Sequence, residues 1–375
     1  MDSLPEELLD RIVFEVIDLL PLKEYHDYGI RYRDLLNLSR VSRKLYRITE
    51  PHLYRDLVCS SDRDHGNEDE LVHTLERRLD LHRHIKVISL QDYEEIAPQF
   101  EKLVMRLPNL CRLDISMPEC NLKNWLPVLQ KRSITTLRLK GVVATHVEDD
   151  RNDDWNFINN NITSLDVSFT WNDLPWEECN EICKFAATLR NLRCLRISGV
   201  YDPEVEFALD ACVFRCMVNA FKHAFETTLR DFDFRYNDVY YENEMTSNAF
   251  DARTILKRSR LEHLKLETDC LRRQEPTLRS LEVGPSSLPS TLKTLYIRHL
   301  VDVEGLNQAA RNLMHSDEAQ CLSQLVKLAA RTSRFPDLQK FTLVTFLPSM
   351  FEEVASRVVK VHARKAKVQI DLMFA

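Results

Sequence analysis

Glycine is scarce in this chain: six residues among 375, with no two inside one short motif. A phosphate cradle needs closely spaced glycines, so neither a Walker-type loop nor a dinucleotide fingerprint can be built. His-Glu-x-x-His and Gly-x-Ser-x-Gly are also missing, which removes the common metalloprotease and nucleophile-elbow patterns. No stretch of 18 apolar residues occurs, so no membrane span is expected. Positive charge is not in excess either. The chain has 51 Lys and Arg against 58 Asp and Glu, a formal net charge of −7, and this speaks against a nucleic-acid binder. The ten cysteines never form Cys-x-x-Cys. Cys179/Cys183 and Cys212/Cys216 lie one helical turn apart, but a zinc site would need a second matched pair. His82 and His84 flank Arg83 with no carboxylate close in sequence, a poor start for a metal site. Reduced thiols in cytosol or nucleus fit these cysteines, and the Met-Asp-Ser start resembles no signal or transit peptide. The expectation is a non-enzyme with no metal and no cofactor.

What the chain does have begins at once. Ser3 and Glu6 have the spacing of a capping box, with Pro5 where a first helical turn tolerates it. Leu9, Ile12, Val13, Val16 and Leu20 follow at helical spacing, ended by Pro21. A second apolar cluster holds Leu35, Leu36 and Leu38. A third stripe, Val41, Leu45 and Ile48, is expected to stop at Thr49–Pro51. Three short helices in so few residues make a small core. Leu4, Leu8, Leu36 and Val41 are left as apolar residues of the outer face. Either a partner covers them or they pack on the following domain.

The order of these residues carries a resemblance. Leu4-Pro5-Glu6-Glu7-Leu8, Ile12, Leu36-x-Leu38-x-x-Val41-Ser42-x-x-Leu45 and Pro51-x-Leu53-Tyr54-x-x-Leu57 together resemble the F-box. That motif is a three-helix module docking on the Skp adaptor of SCF-type ubiquitin ligases. The likeness covers about the first 57 residues. Lys23–Tyr32 stands as an insertion between the first two helices, and Leu45 occupies a position where many members carry Trp. The resemblance implies Skp docking through Leu4, Pro5, Leu8, Ile12, Leu36, Val41 and Leu45.

Beyond a polar, acidic stretch read as a linker over 60–70, one pattern recurs: apolar-x-x-apolar-x-apolar. It is found at Ile85/Ile88/Leu90, Leu110/Leu113/Ile115, Ile134/Leu137/Leu139, Ile162/Leu165/Val167 and Leu192/Leu195/Ile197. It continues at Leu229/Phe232/Phe234, Leu261/Leu264/Leu266, Leu278/Leu281/Val283, Leu292/Leu295/Ile297 and Leu338/Phe341/Leu343. The early centres, Ile88, Leu113, Leu137 and Leu165, fall within the roughly 20–29-residue period of leucine-rich repeats. The alternating end of each unit is a short strand. The stretches between have helical periodicity, as at Phe100/Leu103/Leu107 and Phe185/Ala186/Leu189. One such unit cannot bury its own apolar face, whereas stacking makes a continuous core. These segments resemble degenerate leucine-rich repeats of the F-box kind; Pro118 and Val200 replace the Asn or Cys expected after the strand. Val368/Ile370/Leu372 reads as a last strand after a Phe351–His362 helix. The expected class is α/β: a helical module over 1–59, the linker, and a solenoid over 71–375 with a parallel sheet and outer helices.

The residue between the two strand leucines points away from that core. In order it is Ser89, Asp114, Arg138, Asp166, Arg196, Asp233, Lys265, Glu282, Tyr296 and Thr342. From Asp114 to Glu282 the sign alternates at each step. Adjacent strands would hold these side chains roughly 5 Å apart, each pair contributing up to about 1 kcal/mol. Such a concave-face row neutralises itself and holds register. Recognition would then fall on the insertions Val147–Asp154 and Arg235–Asn248. The function this reading implies is an SCF adaptor that binds Skp through its first module and an unidentified substrate protein through the repeats. A non-degradative Skp-bound scaffold, or an enzyme with a site on the concave face, are the alternatives.

Overall fold

The computed structural model describes residues 4–18, 25–60, 68–91, 98–116, 125–140, 159–170, 179–200, 220–237, 256–267, 288–299, 335–345 and 368–374. The chain divides into two compact units, 1–140 and 141–375.

The first unit opens with three helices: α1 (Glu6–Asp18), α2 (Tyr25–Ser39) and α3 (Arg43–Leu53). Glu6 and Glu7 occupy the first turn of α1, where the positive end of the helix dipole favours carboxylates. Leu9 and Val13, one turn apart, face inward and close a small core with Leu35, Leu45 and Ile48. Ser42 caps α3, its Oγ accepting from the Leu45 N–H at 3.2 Å and filling one orphan donor position. The sequence places the end of this helix at Thr49–Pro51, but α3 runs on through Pro51 to Leu53. In the last turn a proline removes a single N–H, and the Tyr54 N–H donates to Glu50 O at 3.3 Å to finish the helix. Most of the expected insertion is helical too, since α2 begins at Tyr25. Ser3 and residues 19–24 lie outside the described residues.

After α3 the chain enters a parallel sheet almost at once. The first unit holds β1 (Asp56–Ser60), β2 (Val87–Gln91), β3 (Arg112–Ser116) and β4 (Thr136–Lys140), paired in chain order with Leu57, Ile88, Leu113 and Leu137 in register. The helices α4 (Glu68–Arg77), α5 (Pro98–Arg106) and the single turn α6 (Leu126–Leu129) lie between strands in the chain. Leu75, Val104, Leu107 and Trp125 from these stretches are buried with the strand leucines. Two expectations change here. The sheet starts one strand earlier than the repeat pattern indicated. The stretch read as a linker over 60–70 is shorter, because Ser60 ends β1 and α4 has begun by Glu68.

In the second unit the same rule continues through β5 (Ser164–Thr170), β6 (Cys194–Val200), β7 (Asp231–Asn237), β8 (His263–Glu267), β9 (Thr294–His299), β10 (Lys340–Thr345) and β11 (Gln369–Phe374). Leu165, Leu195, Phe232, Leu264, Leu295, Phe341 and Ile370 form one in-register row. Helices α7 (Cys179–Thr188) and α8 (Lys222–Thr227) contribute buried Phe185 and Phe225. The Phe225 and Phe232 rings meet edge-on, 4.9 Å between centroids, a favoured aromatic arrangement. The fold class is therefore α/β with parallel strands, as expected. The Phe351–His362 helix and both insertion loops, apart from the β7 residues Arg235–Asn237, lie outside the described residues.

One backbone device recurs ahead of the strands. Arg55 O accepts from the N–H groups of Lys86 and Val87, Lys86 O from Cys111 and Arg112, and Cys111 O from Thr135 and Thr136. In the second unit, Arg193 O, Arg230 O, Glu262 O and Lys293 O each take two donors in the same way. A polar side chain just before the first apolar residue of the pattern adds a further bond. Asn109 Nδ2 donates to Arg83 O, Asn191 Nδ2 to Asn160 O, Thr228 Oγ1 to Leu192 O and Thr291 Oγ1 to Leu261 O.

Candidate docking surface and the charged row

The helical bundle fills its interior with Leu9, Val13, Leu35, Leu45 and Ile48, yet keeps large apolar side chains outside. Leu8 is 50% exposed, Ile12 51% and Val41 65%, and Leu4, Phe14 and Leu36 are also exposed. The helical period explains the split. Leu8 and Ile12 each lie one residue, about 100° around the helix, from Leu9 and Val13, so one pair faces in while the other faces out. Polar contacts tie the start of α1 to α3. Lys44 Nζ donates to the Leu4 carbonyl, and Arg47 meets Glu6 Oε1 at 2.7 Å. The start of α1 therefore sits beside the start of α3, next to Val41. Of the expected docking residues, Leu4, Pro5, Leu8, Ile12, Leu36 and Val41 are on the surface. Leu45 is not. It is 3% exposed and belongs to the interior, because α3 turns its Leu45/Ile48 stripe toward α1 and α2.

The bundle is held firmly against the first strands. Tyr32 Oη donates to Asp56 O at 2.8 Å. The Arg55 guanidinium lies 5.9 Å from the Phe14 ring centroid, within cation–π reach. Arg78 joins Glu50 at 3.1 Å and Asp80 at 2.7 Å, and Tyr46 Oη donates to Glu50 Oε1 at 2.7 Å. The Arg78 guanidinium beside it depresses the Asp80 carboxyl, and the bond to Glu50 pushes the Tyr46 hydroxyl up.

Within each unit the central row is present, with Tyr296 in place of Glu282 in the second. Asp114 opposes Arg138, Asp166 opposes Arg196, Arg196 opposes Asp233 and Asp233 opposes Lys265. The next partner of Lys265 is Tyr296, not Glu282, because β8 pairs directly with β9. Leu278, Leu281, Glu282 and Val283 lie outside the described residues. After Tyr296 come Thr342 and Asp371. The row is less open than expected. Asp114 and Asp233 are buried, as are Ser89 and Thr342, whereas Arg196 is exposed. Short acidic side chains sink between longer neighbours. Lys265 Nζ reaches Asp233 Oδ2 at 3.3 Å across the strands. Asp114 is met within its own strand, Arg112 giving it two bonds of 2.7 and 2.5 Å. Only the first is the cross-strand pairing the sequence suggested; residues two apart on a strand share a face, so Arg112 competes for Asp114.

Other groups of the sheet are paired rather than poised. Lys293 Nζ lies 2.5 Å from Glu262 Oε2, and Arg230 stands 3.6 Å away. The Lys293 bond, then the nearby cations, hold the Glu262 carboxyl below its ordinary range. Lys340 and Gln369 do the same to Asp371. Burial pushes the Cys194 thiol up, which leaves it less nucleophilic, not more. His82 is buried with Nε2 2.9 Å from Leu75 O, while His84 Nε2 accepts from Arg83 at 3.1 Å, so the two imidazoles serve different partners. Among the described residues no three His, Cys, Asp or Glu side chains converge as a metal site, and no helix is long and apolar enough to cross a membrane.

Two features escaped the sequence reading. One is the Asn/Thr position that links successive strands, legible as a polar residue before each leading leucine. The other is the run Arg40, Arg43, Lys44 and Arg47, four cations and no acid bordering Val41. Comparison with known protein families finds no family model that matches the chain, and comparison with curated proteins finds no matching sequence.

Proposed function

We propose that this chain is a substrate-recognition adaptor of an SCF-type ubiquitin ligase. Its helical bundle is the F-box-like module, and its parallel-stranded region is a degenerate leucine-rich-repeat solenoid that holds a substrate protein. The carrying observation is the exposed set Leu4, Leu8, Ile12, Leu36 and Val41 on a bundle whose interior is complete without it. Each half-exposed aliphatic side chain dried by a partner adds on the order of 1 kcal/mol. These residues stand at the positions where the F-box resemblance places Skp contacts. The chain performs no chemistry in this reading. It works in cytosol or nucleus, raising the concentration of target lysines near the ligase.

Affinity purification of wild type beside Leu8→Asp/Val41→Asp tests it. Wild type should recover both the Skp subunit and the cullin, and the variant neither. Skp without cullin would favour the non-degradative scaffold. Wild type that recovers no Skp overturns the reading.

A further inference from the structure

We infer that the bundle's apolar surface is built for a partner face whose apolar groove is bordered by carboxylates, with Arg40 and Arg43 as the charged contacts. This rests on the docking reading above and specifies the chemistry of the partner. Arg40, Arg43, Lys44 and Arg47 lie along the turn and first part of α3 on either side of Val41, and no acidic residue interrupts them. The Lys44 bond to the Leu4 carbonyl and the Arg47–Glu6 pair bring this cationic run against the start of α1, so it borders the apolar surface. Two of the four are thereby engaged at home. Arg40 and Arg43 are exposed, and no acidic side chain of the described residues pairs with either.

Their placement gives the stronger reason. Arg43 and Lys44 open α3, whose first turn contains no acid. The N-terminal end of a helix carries the positive pole of its dipole, so cations there destabilise the helix. The start of α1 shows the ordinary solution in the same chain: it opens with Glu6 and Glu7. A charge arrangement that weakens its own helix, on an otherwise acidic chain, beside an uncovered apolar surface, fits a gain made outside the molecule. Complementary charge at an interface rim speeds encounter and selects the partner, while apolar burial supplies most of the affinity. Four cations around aliphatic side chains do not make the long basic stripe that nucleic acid needs, so a protein face is the occupant that fits.

The test uses the full chain and the purified Skp subunit, with association and dissociation rates followed at about 50 and 300 mM salt. The wild-type association rate should fall roughly tenfold across that range. Arg40→Glu/Arg43→Glu should associate at least tenfold more slowly at low salt and lose most of the salt dependence. It should melt close to wild type, because an acid at position 43 suits the start of α3 while one at position 40, just past the end of α2, opposes that helix's dipole. Association that is insensitive to salt, or unchanged in the charge-reversed variant, overturns this inference and leaves the docking reading standing. No Skp binding at either salt overturns both. Binding of wild type, but not of the variant, to phosphatidylserine vesicles in place of Skp assigns the cations to a membrane surface and overturns the protein partner.

Discussion

In the sheet, the inward leucines are closed off by their neighbours: Leu113, Leu137, Leu165, Leu195 and Leu264 show no exposed surface. In the bundle, the inward face of α1, Leu9 and Val13, is nearly as dry, while the adjacent Leu8 and Ile12 stand half in water. Both regions use the same residue types. They differ in how the apolar surface is completed. Each strand is covered by the next strand and by helical segments of the same chain, so the chain itself supplies what each repeat lacks. The bundle has three helices, and among the described residues nothing covers Leu8 and Ile12 on its outer face; in the docking reading proposed above, a partner does so. Burial, rather than composition, separates a residue that maintains the fold from one that is available to a partner.

The most severe way to break this comparison is to truncate both kinds of leucine. Leu113→Ala in the sheet and Leu45→Ala in the bundle should each cost about 2–5 kcal/mol, from lost burial plus a cavity. Leu8→Ala and Ile12→Ala should stay within about 0.5 kcal/mol. Denaturant unfolding midpoints decide it. If Leu8→Ala cost as much as Leu45→Ala, the outer face would be core, and the distinction would fail.

The charged row allows a second test within the sheet. Asp233 is 1% exposed and is met across strands by Lys265, whereas Asp114 is met along its own strand by Arg112. Lys265→Met and Arg112→Met should each cost about 1–3 kcal/mol, since a buried carboxylate loses a cation; the half-exposed Lys265 keeps that figure toward the lower end. In a double-mutant cycle, Asp233→Asn should recover part of the Lys265→Met loss. Equal, additive losses would show that the pair does not couple the strands.

How much of this was legible is clearest at Leu57. It closes the F-box-like motif and is also the inward residue of β1, in register with Ile88. One residue cannot announce two roles in a linear pattern, so the sequence hides β1 and makes the linker look longer than it is. Leu45 is ambiguous in the sequence for a related reason. Helical spacing identifies a stripe but not which side of it faces the other helices. Glu282 entered the row because Leu278, Leu281 and Val283 reproduce the repeat pattern, whereas strand pairing depends on which segments meet in space. The strands centred on Leu113, Leu165 and Leu295 were legible because period-two burial is local and each repeats the same test.

The Asn/Thr bonds between successive strand units offer a smaller perturbation. Asn109→Ala and Thr228→Ala each remove one bond to the preceding unit's carbonyl. Each should cost about 0.5–1.5 kcal/mol, less than any leucine above, with Thr228 the costlier because its bond is partly buried. Thermal unfolding of the two variants measures this. A loss matching Leu113→Ala would mean that these bonds, and not the apolar rows, set the stacking.

The smallest expected effect is one of pH, at Glu262. Its carboxyl is depressed chiefly by the hydrogen bond from Lys293, with Arg230 adding to it. A depressed carboxylate contributes its full stability above the ordinary carboxylate pKa, and that contribution is lost as pH falls through the lower folded value. Lys293→Met removes the main cause, so Glu262 should titrate closer to its ordinary range. The variant should then be slightly less stable than wild type at pH 7, and the gap should close at an acid pH below the depressed folded value, where Glu262 is protonated in both. Lys293 and Glu262 are both partly exposed, so solvent and salt screen the pair, and the gap at pH 7 should narrow further in 1 M salt. Unfolding midpoints of the two proteins at the two pH values separate the causes. A gap that stays constant with pH would assign the role of Lys293 to the packing of its aliphatic stem, and the charge pairing along this edge of the sheet would then be a consequence of register rather than a support for it.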